Sequence, residues 1–202
     1  MRRILLVLGC ALLFVPAMRA QEFDHIQVGV FADYFRSNPT GTNMAGLGGR
    51  VGFSVARHVK LEGQMAYDFN QVFTEGFTNA GGGTVTFQNT GVRTLHGSFG
   101  PKFELGHSAF HPFLFAKGGF VNYFFDGRNA SFDTFTSSVQ HLRANNVNPE
   151  FLPGGGVEGH IGPVGLRLDA ADEMVFNHGA HHNLAVTFGP LIVHSQQSTA
   201  KD

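Results

Sequence analysis

The sequence predicts an all-β fold, an eight-stranded antiparallel up-and-down transmembrane β-barrel that follows a cleaved signal peptide. Three observations support this prediction. Apolar residues alternate with small, polar or charged ones over runs of about ten residues. Glycine, at 27 of 202 residues, interrupts almost every window that could form a helix. The one long apolar segment, at the N-terminus, is too short to cross a membrane as a helix.

That N-terminal segment has the layout of a secretory signal peptide. Arg2 and Arg3 precede an apolar run at residues 4–15, and small residues lead to Ala20. We expect residues 1–20 to be removed and residues 21–202 to form one barrel domain, with a short polar tail from about residue 195. Cys10 would leave with the signal peptide, so the mature fold would contain no disulfide.

Period-two alternation predicts eight strands. In one run, Leu47, Val51 and Val55 share a face, while Arg50 and Ser54 lie on the opposite face. Most runs are longer than the roughly 5–6 residues of a typical soluble strand and suit a tilted membrane strand. The alternation is weakest in the fifth and sixth runs. The predicted strands cover residues 25–36, 46–56, 60–73, 93–105, 111–125, 153–161, 164–176 and 183–194.

The connections between these runs alternate in length. Three of them are short, and the others are mostly longer. Outer-membrane barrels have short periplasmic turns and longer external loops, so this pattern predicts which end of the barrel faces outward. The short connections span residues 57–59, 106–110 and 162–163, and the longer ones span residues 37–45, 74–92, 126–152 and 177–182.

The order of these features resembles the OmpA/OmpX-type superfamily of eight-stranded outer-membrane β-barrels. The segments that carry the resemblance are Gly48-Gly49-Arg50-Val51-Gly52-Phe53, Val59-Lys60-Leu61-Glu62 and the closing strand Asn183-Leu184-Ala185-Val186-Thr187-Phe188-Gly189-Pro190. The resemblance implies export to the outer membrane, a lipid environment and an Arg/Lys–Glu network inside the barrel. One departure is the last strand, which ends on Val193-His194 rather than on the aromatic residue that members often carry.

The charged residues indicate which face points inward. A charged side chain on the lipid face costs about 2–4 kcal/mol at the membrane midplane, so we assign the polar face to the lumen. A lipocalin-like soluble barrel would reverse the faces, but it would need a more charged exterior than 14% charged residues provide. The predicted lumen network comprises Arg50, Glu62, Asp68, Lys102, Glu104, Glu158, Arg167 and Asp169.

One pair in this set can be placed more closely. If the last short turn is centred on Gly162-Pro163 and has an even number of residues, Glu158 lies directly opposite Arg167 on the lumen face. We expect a direct charge-assisted hydrogen bond between them. Pro163 favours a loop of four residues over one of two.

Aromatic residues are expected to form an interfacial belt near the outer ends of the strands. Tyrosine suits the membrane–water interface because it joins an apolar ring to a polar tip. The predicted belt contains Tyr34, Tyr67, Tyr123, Phe125 and Phe176.

These features favour a structural or surface-interaction protein with a plugged polar lumen. Eight strands enclose little space, and side chains usually fill it. The expected partners are outer-membrane lipid and an extracellular ligand or surface at the external loops, chiefly residues 126–152. Removal of the signal peptide leaves 11 basic against 15 acidic residues, so nucleic acid is not an expected partner. No cofactor is expected.

Two alternatives arise from histidine. His96 and Ser98 lie on one face of a strand and could serve an outer-membrane lipid-modifying hydrolase, if that face lay outward at the rim. An inward His96 favours the structural role. His178, His181 and His182 form a dense cluster that could bind zinc or copper, although it holds no acidic or cysteine ligand.

Overall fold

The computed structural model describes residues 25–38, 41–79, 85–106, 109–126, 135–137 and 147–195. The predicted signal peptide and most of the C-terminal tail lie outside these residues. The described strands are β1 (His25–Ser37), β2 (Thr42–Ala56), β3 (Val59–Asn79), β4 (Val85–Glu104), β5 (Phe110–Asp126), β6 (Phe135–Ser137), β7 (Val147–Ile161), β8 (Val164–Phe176) and β9 (Ala180–Ser195).

Eight of these strands form a closed antiparallel barrel. The hydrogen-bonded order is β2-β1-β9-β8-β7-β5-β4-β3, and a further pairing of β2 with β3 closes the ring. The short strand β6 pairs with the end of β3, outside this ring. The predicted eight-stranded all-β fold is confirmed. The described residues include no helix long and apolar enough to cross a membrane.

The strands are longer than predicted at the end opposite the short turns. β3 runs to Asn79 and β4 begins at Val85, so most of the predicted loop 74–92 is a hairpin that continues the barrel wall. β7 begins at Val147, inside the predicted loop 126–152, and β2 begins at Thr42. These predictions were wrong because backbone pairing continues through polar segments that lack apolar alternation.

The barrel wall has an apolar exterior and a polar interior. Alternate residues of each strand point outward, and most outward positions away from the barrel ends carry exposed aliphatic or aromatic side chains. In β3 a register shift between Asp68 and Gln71 reverses the alternation, so Phe73 is buried inside. Large outward residues include Val28, Val30, Leu47, Val51, Met65, Phe99, Phe103, Leu114, Phe151, Leu166, Leu168, Leu184, Phe188 and Ile192.

The hairpin between β7 and β8 has a two-residue loop. Ile161 pairs with Val164, leaving Gly162 and Pro163 as the loop. The expected four-residue loop is wrong because Gly162 adopts a φ of 63°, in the left-handed region, at the first loop position. Glycine at this position is typical of a tight hairpin turn, and the fixed negative φ of Pro163 suits the second position.

Two adjacent glycines on β2 provide a test of how side chains pack inside the barrel. A methyl group on Gly48 would lie 2.3 Å from Cζ of the buried Phe31, whereas one on Gly49 would meet no atom closer than 3.8 Å. We predict that Gly48→Ala destabilises the barrel by roughly 1–3 kcal/mol through overpacking. Gly49→Ala should be neutral or stabilising by up to ~1 kcal/mol. Urea unfolding of both variants, refolded in detergent, measures the difference; equal stabilities would contradict the inward packing of Phe31.

Candidate functional site

The interior at the level of the short turns and the middle of the barrel is filled by paired charges. This ionic layer contains five basic and four acidic side chains, most of them almost fully buried. Seven of the eight predicted lumen residues lie in it, and Asp68 lies nearer the other end. The members of the layer are Arg50, Lys60, Glu62, Lys102, Glu104, Lys117, Glu158, Arg167 and Asp169.

Arg167 is the centre of the ionic layer. Its Nη1 lies 2.5 Å from Glu62 Oε2, and its Nε lies 2.7 Å from Asp169 Oδ2. Each of these carboxylates also binds a second cation: Glu62 accepts from Lys117 at 2.5 Å, and Asp169 accepts from Arg50 at 2.8 Å. The charges therefore form a continuous chain across β2, β3, β5 and β8, which pairs charges that would be costly to bury singly.

A second branch of the layer surrounds Glu158. Lys102 Nζ lies 2.7 Å from Glu158 Oε2, and Gln27 donates to Glu158 Oε1 at 2.8 Å. His160 Nε2 lies 2.6 Å from the same oxygen. Lys102 also lies 3.2 Å from Glu104, which binds Lys60 at 2.7 Å. This branch links the ionic layer to the short-turn end of the barrel.

Aromatic rings separate the cations of the layer. The guanidinium of Arg167 lies 4.2 Å from the ring centre of Phe113, and Lys117 Nζ lies 4.7 Å from that of Phe115. The guanidinium of Arg50 lies 4.2 Å above Phe31. The rings stabilise the cations through their faces and fill space that water would otherwise occupy.

The predicted register, with Glu158 opposite Arg167, is confirmed, but the prediction of a direct hydrogen bond between them is wrong. The two residues are Cα partners in the β7–β8 ladder. Arg167 Nη1 nevertheless lies 4.0 Å from Glu158 Oε2, farther than its contacts with Glu62 and Asp169. The guanidinium turns across the lumen because Glu62 on the opposite wall offers a closer acceptor.

Sequence reasoning missed several interior charges. Lys117 shares its face of β5 with the buried Phe113 and Phe115, and both faces of that strand look apolar in the sequence. Glu150 lies in a segment that was predicted to be loop. Glu173 has the same parity on β8 as Arg167 and Asp169, which is the signal that could have identified it.

A second group of interior charges lies between the ionic layer and the loop end. This acidic layer contains Asp33, Asp68, His96, Glu150 and Glu173, all buried. His96 Nε2 lies 2.5 Å from Asp68 Oδ2, and Nδ1 lies 2.8 Å from Glu173 Oε1. Ser98 and Glu173 lie beside Glu150. An apolar cap covers the layer on the loop side and consists of Phe35, Met44, Phe73, Val92, Val121, Tyr123 and Val175.

The candidate hydrolase pair faces this enclosed region. His96 and Ser98 are both buried and inward, and the ring of Phe35 packs against His96 with 4.6 Å between ring centres. Both imidazole nitrogens contact carboxylates rather than the Ser98 hydroxyl. The pair is therefore remote from the outward surface that acyl chains could reach, and the rim position that the hydrolase hypothesis requires is not observed.

The predicted aromatic belt needs two corrections. Tyr34 and Tyr67, each 38% exposed, and Phe176 point outward near the loop end. Tyr123 is only 1% exposed and belongs to the apolar cap, and Phe125 packs against that cap. Both share the inward parity of Lys117 on β5, and the exposed Phe124 between them lies on the outer surface instead.

The three loop histidines do not converge on one point. His178 Nδ1 lies 2.7 Å from the side-chain oxygen of Asn177, and His181 Nε2 lies 3.1 Å from the Asn177 carbonyl. His182 Nδ1 lies 2.7 Å from Asp172. The three-residue groups with metal-ligand spacing among the described residues lie in the barrel interior.

Solved structures share this architecture. No protein-family model and no curated protein matches the sequence. Neisserial surface protein A (NspA) aligns with a TM-score of 0.52 at 10% identity, covering 85% of this chain and 96% of the other. OprG from Pseudomonas aeruginosa, an outer membrane protein, aligns with a TM-score of 0.53 at 9% identity, covering 85% and 97%. The chain has the fold of the eight-stranded outer-membrane β-barrels. At such low identity the likeness concerns the fold alone.

The contacts of Arg167 generate a prediction for three double-mutant cycles. Combining Arg167→Met with Glu62→Gln should give a coupling energy of roughly 2 kcal/mol or more, since the pair is close and buried. Combining Arg167→Met with Glu158→Gln should give less than about 1 kcal/mol, because 4.0 Å separates the atoms.

Equilibrium unfolding in detergent micelles measures these couplings. The control cycle is the exposed pair Arg93 and Asp126, tested as Arg93→Met with Asp126→Asn, and it should couple least. A coupling of Arg167 to Glu158 as strong as its coupling to Glu62 would contradict the network.

Proposed function

We propose that this protein crosses the outer membrane as a barrel with a filled polar lumen and serves a structural or surface-interaction role there. The observation that carries the proposal is the reversed polarity of the fold. Most charged side chains of the described strands lie inside, while large apolar side chains cover most of the outside of a closed sheet. A soluble protein rarely exposes an apolar surface of this extent, whereas lipid requires it.

Strand length supports the same environment. The eight barrel strands contain 13 to 21 residues. A tilted transmembrane strand needs only about 9–11 residues. The excess falls at the loop end, where β3 and β4 continue past the aromatic side chains of Tyr34 and Tyr67. These projecting strands, with β6 paired to β3, form the part of the wall best placed to meet a ligand or another surface outside the cell.

The packed interior supports a structural role rather than transport. The ionic layer, the acidic layer and the apolar cap follow one another along the barrel, and their side chains come from seven of the eight barrel strands. Ions would have to cross salt bridges and then a cluster of buried aromatic and aliphatic residues. We therefore propose that the lumen does not form an open channel. We also propose that an N-terminal signal peptide, removed after Ala20, directs export of the protein.

Membrane fractionation of cells that produce the full chain tests the proposal. We expect the protein to sediment with outer membranes, to begin at Gln21, and to migrate faster on gels before heating than after it, since a closed barrel resists detergent unfolding. In planar bilayers it should produce no large, stable conductance.

A periplasmic marker protein and an inner-membrane marker serve as fractionation controls. Recovery of folded protein from the periplasm without detergent would reject the membrane assignment. Large, reproducible channels from the monomer would reject the filled lumen while leaving the membrane assignment intact.

A further inference from the structure

The acidic layer carries more negative charge than its neighbours balance. Among the described residues, the ionic layer has five basic side chains for four carboxylates, and these pair with one another. The acidic layer has four carboxylates, on Asp33, Asp68, Glu150 and Glu173, and its basic member is His96. One imidazolium could neutralise one of the four, and uncompensated charge in a low-dielectric interior is costly.

Several oxygens of this layer are buried without a hydrogen-bond partner. They are Asp33 Oδ1, Asp68 Oδ1 and Glu150 Oε2, together with the hydroxyl of Tyr123 beside them in the apolar cap. Asp33 and Asp68 are 8% and 0% exposed. Buried polar atoms are normally satisfied, so unpartnered oxygens on two neighbouring carboxylates indicate that a group able to bind them is missing from the contacts of the protein itself.

We propose that Asp33, Asp68 and His96 bind a divalent transition-metal cation inside the barrel. Each offers a ligand atom, and the three atoms lie within 4.8 Å of one another. Ligand atoms held about 2.0–2.2 Å from one tetrahedral ion are roughly 3.3–3.6 Å apart, so side-chain shifts of up to about 1 Å bring the three atoms to one ion. Only a glycine fits beside Asp68, because a methyl group on Gly46 would lie 2.5 Å from the unpartnered Asp68 Oδ1 and 2.3 Å from the carbonyl oxygen of Tyr67.

Glu173 and Thr94 fit the roles that surround a metal ligand. His96 would coordinate through Nε2, the nitrogen on the side of Asp68, and donate its Nδ1–H to Glu173 at 2.8 Å. A carboxylate that accepts from the second imidazole nitrogen is the usual partner of a metal-bound histidine, since it fixes the tautomer and the ring orientation. Thr94 Oγ1 hydrogen-bonds Asp68 and holds that carboxylate in place.

The ligand set indicates the class of ion. Two carboxylates favour a hard cation such as Mn²⁺, and the imidazole favours ions such as Zn²⁺ over Ca²⁺ or Mg²⁺. The second group around His96, formed with Glu150 and Glu173, has the same chemistry but uses the opposite ring nitrogen. The group formed by His111, Glu158 and His160 differs, because Glu158 already binds Lys102 and Gln27.

Metal retention by the refolded mature chain tests the proposal. The protein is refolded in detergent with Mn²⁺ or Zn²⁺, desalted, and assayed for bound metal by elemental analysis; we expect about one ion per barrel. Asp33→Asn should weaken binding at least tenfold. Glu150→Gln removes the same charge from the same layer but no proposed ligand, so its affinity should stay within about threefold of the original.

Electron paramagnetic resonance of the Mn²⁺ form provides a readout that does not depend on variants. Coupling to an imidazole nitrogen is expected, and it should disappear in His96→Gln. His182→Asn, at the outer turn, should retain both the metal and the coupling.

Three results would overturn the site. The first is that the original chain retains no metal. The second is that Asp33→Asn and His96→Gln retain as much metal as the original chain. The third is that His182→Asn loses the metal. Variants are compared only when their heat-modifiable migration shows a folded barrel. If Asp33→Asn does not fold, the imidazole nitrogen coupling in the Mn²⁺ form of the original chain tests the site instead.

Discussion

The structure depends on one constraint: a closed sheet leaves each strand with one face inside and one outside, and charges can occupy only one of them. Each strand of the ring has a hydrogen-bonded neighbour on both sides, which is what permits a sheet to lie in lipid. Because side chains alternate, moving Arg167 or Glu62 to the outside would also turn their apolar neighbours inward. A change in register would therefore disrupt the apolar exterior and the ionic layer at the same time.

Much of the architecture follows from this alternation and is readable in the sequence. Where charged residues recur at every second position, as from Arg167 to Asp169 on β8, both strand and inner face were predicted. The prediction of strands failed where apolar and polar residues do not alternate. Residues 74–92 and 147–152 are polar or mixed, so pairing there depends on neighbouring strands. Tyr123 was assigned to the belt because its type suits the interface, although the parity of Lys117 on the same strand places it inside.

The interior could be predicted as a set of residues, but its contacts could not. Register places Glu158 opposite Arg167, yet the guanidinium reaches Glu62 across the lumen instead. Such choices depend on the width of the barrel and on rings such as Phe113, which no local pattern encodes. The division into a balanced ionic layer and an acidic layer likewise emerges only in three dimensions. Asp33, Asp68, Glu150 and Glu173 come from four different strands, of which only β7 and β8 are consecutive in the sequence.

The facing of the strands can be measured directly because the chain contains no tryptophan. Phe99 points outward and Phe115 points inward, so Phe99→Trp and Phe115→Trp place one fluorophore on each side of the wall. Each variant is refolded into vesicles whose acyl chains carry bromine, which quenches tryptophan on contact. Strong quenching at residue 99 and weak quenching at residue 115 is the expected result. Strong quenching at residue 115 with little at residue 99 would show that the ionic side chains face outward, and would contradict the account.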